Sequence, residues 1–149
     1  MAEVVVIGGG VVGLAIAYEL AGNGVSVRIL EQGDFGREAS WAGAGILPPG
    51  HPEGAATPHA KLRAESHRLW PQWSRQLVET TGIDNGFREC GGIAIDFGDE
   101  TEGQGDEIAA WNAEGVEVER LSSDRMTELE SALSPDVASA YRLPQLCQV

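Results

Sequence analysis

The chain has 149 residues, 42% of them hydrophobic, and 23 acidic against 10 basic side chains give it a formal net charge of −13. That length suits one domain, which buries about 68–70% of the surface its unfolded chain exposes. Residues 1–75 hold seven acids against six bases and residues 76–149 hold sixteen against four, so the clustered cations that grip phosphate backbones are missing and nucleic acid is excluded as a partner. The acidic second half reads as a solvated, solubilising surface, with an acidic docking face as the alternative. No apolar run approaches the ~20 residues that span a bilayer, and no basic stretch with an apolar core follows Met1, so neither a membrane segment nor a secretory signal is expected. Cys90 and Cys147 lack metal-ligand spacing. The expectation is a cytoplasmic protein without a metal.

Val4-Val5-Val6-Ile7 is a continuous β-branched run, suited to a parallel strand buried on both faces. Gly8-x-Gly10-x-x-Gly13 follows at once, then a helical pattern on Leu14, Ala17, Tyr18 and Ala21 that Gly22 and Gly24 break. Val25, Val27 and Ile29 alternate as a second strand ending on Glu31. This is a βαβ unit with a dinucleotide fingerprint. Gly8 allows the tight turn, Gly10 admits a pyrophosphate to the backbone, and Gly13 lets the helix pack on the sheet. The helix start offers unpaired N–H groups and a positive dipole end to a diphosphate. Glu31, 18 residues beyond Gly13, is placed to accept from ribose hydroxyls.

Gln32–Gly36 is irregular, and Arg37–Leu47 is rich in small residues. Small side chains let backbone approach a flat ligand, and they serve equally in a close-packed helix; periodicity does not choose between loop and helix. Pro48-Pro49-Gly50-His51-Pro52 starts a loop. From Pro58 to Thr81 an amphipathic helix is predicted, with Leu62, Leu69, Trp70, Trp73, Leu77 and Val78 on its apolar face and a kink or break at Pro71. Its tryptophans read as core. His51, His59 and His67 read as surface or loop residues. Gly82 and Asp84-Asn85-Gly86 end the helix. Strands are predicted near Phe87 and over Gly92–Phe97, an acidic loop over Gly98–Asp106, and a helix over Glu107–Ala113. A short strand over Val116–Leu121, a helix from Ser122 or Ser123 to Leu133, and a strand over Val137–Leu143 complete the series. No later apolar βαβ repeat completes a doubly wound sheet, so the nucleotide domain is expected to be unfinished at residue 149, and the part after residue 58 follows an α+β pattern.

At Gly8-Gly9-Gly10-Val11-Val12-Gly13, then Glu31, then Gly36-Arg37-Glu38-Ala39-Ser40 running into Ala44-Gly45-Ile46-Leu47, the chain resembles the FAD-dependent amine oxidases of the D-amino acid oxidase superfamily. Within it the chain looks most like the glycine oxidases of thiamine biosynthesis. The fold class implied is α/β: the N-terminal βαβ of a Rossmann-like FAD-binding domain over residues 1–57, then part of an α+β substrate domain over residues 58–149. The resemblance implies FAD as cofactor, with Val11 and Val12 at its pyrophosphate and Glu31 and Gln32 at its adenosine ribose. It also implies Ala39 and Ser40 on the diphosphate side and Ala44, Gly45 and Ile46 at the flavin end.

The family's FAD domain is discontinuous, and its substrate-gripping residues lie further along, so the resemblance covers about the first two-fifths of such an enzyme. It implies hydride transfer from a small amino acid's α-carbon to flavin N5, release of the imino acid, and reoxidation by oxygen to give hydrogen peroxide. No catalytic acid or base is nominated. The chain by itself is expected to be inactive and to need a C-terminal portion or another chain, and a homo-oligomer is expected. Two rivals are weighed. A nicotinamide enzyme is disfavoured because Glu31-Gln32-Gly33 carries no base for a 2′-phosphate and because of the Arg37–Leu47 segment. The other rival is a non-catalytic FAD-binding or interaction subunit.

Overall fold

The computed structural model describes residues 2–98 and 104–149. It divides into two compact units, Met1–Ala44 and Gly45–Val149. In the first, strand β1 (Val4–Ile7) leads through helix α1 (Val11–Gly22) to strand β2 (Val27–Leu30). The strands pair in parallel, Val4 opposite Val27 and Ile7 opposite Leu30. Parallel strands need a crossover, and α1 supplies it. Glu31 falls one residue past β2, which puts its carboxylate beside the glycine turn rather than in the sheet.

The second unit opens with β3 (Ile46–Leu47), followed by the 24-residue helix α2 (Pro58–Thr81). Thr57 caps α2 by accepting from the Ala60 amide at 3.1 Å, Pro58 occupies the first turn, and Gly82 ends it at φ +71°. Pro71 does not divide the helix. Its ring removes only the one bond to the His67 carbonyl, and 23 other residues hold the rod.

The predicted apolar side of α2 is covered in part: Trp70, Trp73, Leu77 and Val78 are half-buried, but Leu62 and Leu69 are not, and the most buried positions lie elsewhere. Ala64 and Ser74 are buried, with Arg63, His67, Trp70, Pro71 and Trp73 half-buried beside them, while Leu62 is 72% exposed and Leu69 also faces solvent. Leu62 and Leu69 share a side seven residues apart, whereas the buried Ala64 and Ser74 lie round the helix from it. Trp70 meets Trp73 edge-on at 5.4 Å and stacks on Phe87 at 6.2 Å.

Strand β4 (Gly92–Asp96), helix α3 (Gln104–Glu114), strand β5 (Glu119–Arg120), helix α4 (Ser123–Leu129), strand β6 (Ser139–Leu143) and strand β7 (Cys147–Gln148) follow. The sheet order is β4-β6-β5, all antiparallel, and β7 pairs antiparallel with β3. Of the acidic loop expected over Gly98–Asp106, residues 99–103 lie outside the described residues, and α3 begins at Gln104, earlier than its apolar pattern. Ser122 caps α4 by accepting from the Arg125 amide at 3.3 Å, but the helix stops at Leu129 because Glu130 is extended.

Both faces of the β4-β6-β5 sheet are used. Ile108 and Trp111 of α3 pack with Val116 and Leu143 on one, beside Ala94 and Tyr141. Leu121, Val137 and Ala140 form the other cluster, with Ile93, Ile95 and Met126 of α4. Alternation along β4 sends Ala94 one way and Ile93 and Ile95 the other, the period-2 rule at work. Arg63 of α2 and Glu114 of α3 form an ion pair in which Glu114 is buried and also accepts from the His51 amide at 2.8 Å. His67 is half-buried and tied down rather than free at the surface: its Nε2 lies 2.7 Å from the Gln145 carbonyl oxygen and 3.5 Å from the Cys147 sulfur.

Candidate cofactor site

The site begins where β1 runs into the glycines. Gly8 sits at φ +99°, a conformation that side chains of L-residues rarely adopt. A Cβ on Gly13 would collide with the Gly8 carbonyl oxygen, so this glycine is what lets α1 close on the strand. Gly10 stands at the N-cap of α1 and has no side chain to cap it. Ser40 does this instead: its Oγ accepts from the Val11 amide at 2.9 Å, from 29 residues away. No acidic residue lies in the first turn of α1, so the helix start keeps its positive end for an anion.

Glu31 closes the other side. One carboxylate oxygen accepts from the Gly9 amide at 2.6 Å and the other from the Gly33 amide at 2.9 Å. These bonds, Gly9 first and Gly33 second, hold its carboxyl below the usual glutamate range, so it is an anion at neutral pH. The Gly36 amide donates to the Gly9 carbonyl at 2.9 Å, and the Phe35 ring covers Gly9 so closely that a Cβ there would clash with it. The loop after β2 is thus tied back onto the glycine turn.

Between these walls lies a cleft of about 400 Å³. It is lined by Gly8, Gly10, Glu31, Gln32, Ala39 and Ser40, all nominated from the sequence, together with Ile7, Leu30, Asp34, Gly36, Arg37 and Glu38, which were not. The missed residues adjoin the fingerprint (Ile7), precede Glu31 (Leu30) or follow it within seven positions, and that proximity in the chain was the available signal. Val11, Val12 and Gly13 form the first turn of α1 at the edge of the cleft. Ala44 ends the first unit without lining it, and Gly45 and Ile46 belong to the second unit, where the Val149 amide donates to the Gly45 carbonyl at 2.9 Å. Residues 37–45 are turns and irregular chain rather than a helix. The described residues contain no group of His, Cys, Asp or Glu side chains able to hold a metal ion.

A parallel βαβ with a bare glycine turn, a helix start without an acid in its first turn and an ionised acid beyond the second strand defines the dinucleotide-binding class. The cradle has the features that the adenosine diphosphate half of such a cofactor needs: open space where Gly8 lacks a side chain, a helix start without an acid, and an ionised carboxylate at Glu31 able to accept from hydroxyls. Comparison with known proteins narrows the class. The profile of the FAD dependent oxidoreductase family (DAO) matches residues 3–149, and the chain belongs to that family, whose cofactor is FAD.

The chain is 40% identical over 100 residues to a glycine oxidase of Pseudomonas aeruginosa, covering 67% of this chain and 28% of that protein. It is 32% identical over 154 residues to the bifunctional protein ThiO/ThiG of Trichormus variabilis, covering 99% of this chain and 22% of that one. The crystal structure of glycine oxidase from Bacillus cereus superposes with a TM-score of 0.83 at 33% identity, over 100% of this chain and 40% of that one. The chain therefore spans between about a fifth and two-fifths of the length of these relatives.

Proposed function

We propose that residues 1–149 provide the first part of the cofactor-binding machinery of an FAD-dependent oxidase acting on glycine or another small amino acid, which yields the imino acid and hydrogen peroxide. The observation that carries this reading is the Glu31 carboxylate locked over the Gly8–Gly13 turn by the Gly9 amide, in a chain whose family and similar structures include glycine oxidases. When bound, the flavin would supply the redox chemistry, accepting a hydride from the substrate's α-carbon and passing electrons to oxygen. The protein's residues would bind and orient it.

In this reading the amides of Val11 and Val12 face the diphosphate, with Ser40 yielding its hold on Val11, and Ala39 lies alongside. Glu31 and Gln32 take the adenosine ribose, and Ala44, Gly45 and Ile46 serve the flavin end. Residues 1–57 belong to the FAD domain and residues 58–149 to the start of a substrate domain. No residue of this chain is assigned to the substrate's carboxylate, so residues 1–149 by themselves should bind nucleotide without turning substrate over. The partner that completes the site is a further segment of polypeptide or another chain. The free thiols of Cys90 and Cys147 suit a reducing, cytoplasmic setting, and the exposed Val5, which does not line the cleft, suits a surface that another segment or copy covers, as in a homo-oligomer.

The test uses the whole protein as its host makes it. It should show flavin absorption bands and release peroxide with glycine or sarcosine in a coupled peroxidase assay. A colourless protein that binds NAD more tightly than FAD would overturn the reading.

A further inference from the structure

We infer that Arg37, braced on the face of Trp41, is the cation that recognises the diphosphate of the bound dinucleotide. The inference rests on the cofactor reading above and adds to it a residue with which neither the fingerprint nor the Ala39-Ser40 segment deals.

The electrostatics of the cleft pose the problem. Its wall carries the carboxylates of Glu31, Asp34 and Glu38 against one cation, Arg37. A diphosphate brings two further negative charges into this acidic setting. The helix start of α1 answers part of that charge, but only with partial charges that fade within one turn. A full positive charge in the wall adds to the helix start and offsets the neighbouring carboxylates.

Arg37 is placed for this. Its guanidinium carbon lies 4.4 Å from the centroid of the Trp41 ring. Stacking on a π face leaves the edge of the guanidinium, with its fork of N–H donors, free to bind two phosphate oxygens at once. Neighbouring acids do not claim it. Glu31 is committed to the Gly9 and Gly33 amides, and among the described residues no carboxylate lies within ion-pair distance of Arg37. Trp41 is 70% exposed, so it adds little to any core. An exposed tryptophan that fixes an unpaired arginine at the rim of an acidic cleft is a positioning device.

Phosphate in this cleft could come from the diphosphate bridge or from a phosphorylated ribose, and the probes separate these. Dissociation constants for FAD, ADP, adenosine and adenosine 2′-phosphate would be measured calorimetrically on the whole protein stripped of nucleotide, for the parent and for Arg37→Gln, Arg37→Lys and Trp41→Leu. Arg37→Gln should weaken FAD and ADP about tenfold or more, the loss of a charge-assisted, bidentate contact, while adenosine stays within about twofold. The dependence of FAD affinity on salt should flatten. Arg37→Lys should recover part of the loss, and Trp41→Leu should lose less than Arg37→Gln.

Unchanged FAD affinity in Arg37→Gln, or an equal loss for adenosine, would overturn the inference and leave the cofactor reading standing. Adenosine 2′-phosphate binding more tightly than ADP, and losing that advantage in Arg37→Gln, would assign Arg37 to a ribose phosphate and overturn it as well. A parent that binds no FAD overturns the cofactor reading and this inference together.

Discussion

The two units dispose of their apolar residues in opposite ways. In Gly45–Val149, Ile108, Trp111, Val116, Leu121, Val137, Ala140 and Leu143 are buried on the two faces of an antiparallel sheet. In Met1–Ala44 the one buried hydrophobic residue among those described is Ala17. Val5, Val11, Val12, Leu14, Ile16, Tyr18 and Leu30 are exposed, and Ile7 is 86% exposed. The first unit is nevertheless the more apolar in pattern. A parallel strand is built to be covered on both faces, and in β1 only Val4 and Val6 are partly covered while Val5 and Ile7 face out. Local order in this unit comes from hydrogen bonds and glycine sterics around the turn, whereas the second unit rests on side-chain packing. Substitutions should therefore act differently in the two.

The largest effect is expected at the buried ion pair of the second unit. Arg63→Met leaves the Glu114 carboxylate charged and enclosed, with only 4% of its side chain exposed, and should cost ~3–5 kcal/mol. Urea unfolding followed by tryptophan fluorescence reads this, and a loss under about 1 kcal/mol would show the pair to be hydrated. Next comes a matched pair of truncations. Leu143→Ala, at a site 1% exposed, should cost ~2–5 kcal/mol. Ile7→Ala should change the unfolding free energy by no more than ~0.5 kcal/mol. If residues 1–149 are prepared alone, Ile7→Lys should suppress self-association through the apolar face of β1, as light scattering would show. Equal stability losses at the two sites would mean that the face of β1 is covered in solution.

A smaller effect is local to the first unit. Glu31→Gln should weaken FAD about tenfold, measured by flavin fluorescence, since a neutral amide accepts more weakly than a carboxylate. The folded-state pKa of Glu31 lies below its unfolded value of 4.5. Its contribution to holding the glycine turn is therefore fully present above about pH 4.5 and lost as pH falls through the lower, folded value. The Gly9 amide resonance should titrate with a midpoint below 4.5 in the parent and stay flat through that range in Glu31→Gln. The smallest perturbation is chemical. Burial, with added repulsion from Glu89 and Cys90, raises the Cys147 thiol above its ordinary value, while Cys90 is exposed. At neutral pH iodoacetamide should label Cys90 alone until urea opens the second unit, as mass spectrometry of the peptides would show.

The same contrast governs what could be read in advance. β1, α1, β2 and the wall formed by Gly8, Gly10 and Glu31 were legible because they depend on neighbours in the chain. A glycine turn, a helix over one crossover and an acid just past the second strand all lie within about thirty residues, and each is dictated by backbone sterics or by period. The Ser40 cap on Val11, 29 residues distant, marks the edge of that reach: its part at the diphosphate came from family resemblance, its bond to the helix start from the structure.

Beyond that range the tertiary structure decided. β3 and β7 were invisible because two-residue strands carry no periodicity, and Ile46 finds its partner at Gln148 only once the chain is folded. The buried side of α2 went to Ala64 and Ser74 rather than to Leu62 and Leu69 because the backbone of Gly50 fits against Ala64 and the side chain of Asn85 bonds Ser74 at 2.8 Å. His67 became a half-buried contact residue because Gln145 and Cys147 meet it from some eighty positions away. The sequence by itself determined the nucleotide turn, whose geometry is local. Which face of each later element is buried depended on contacts between distant segments, and no local pattern encodes those.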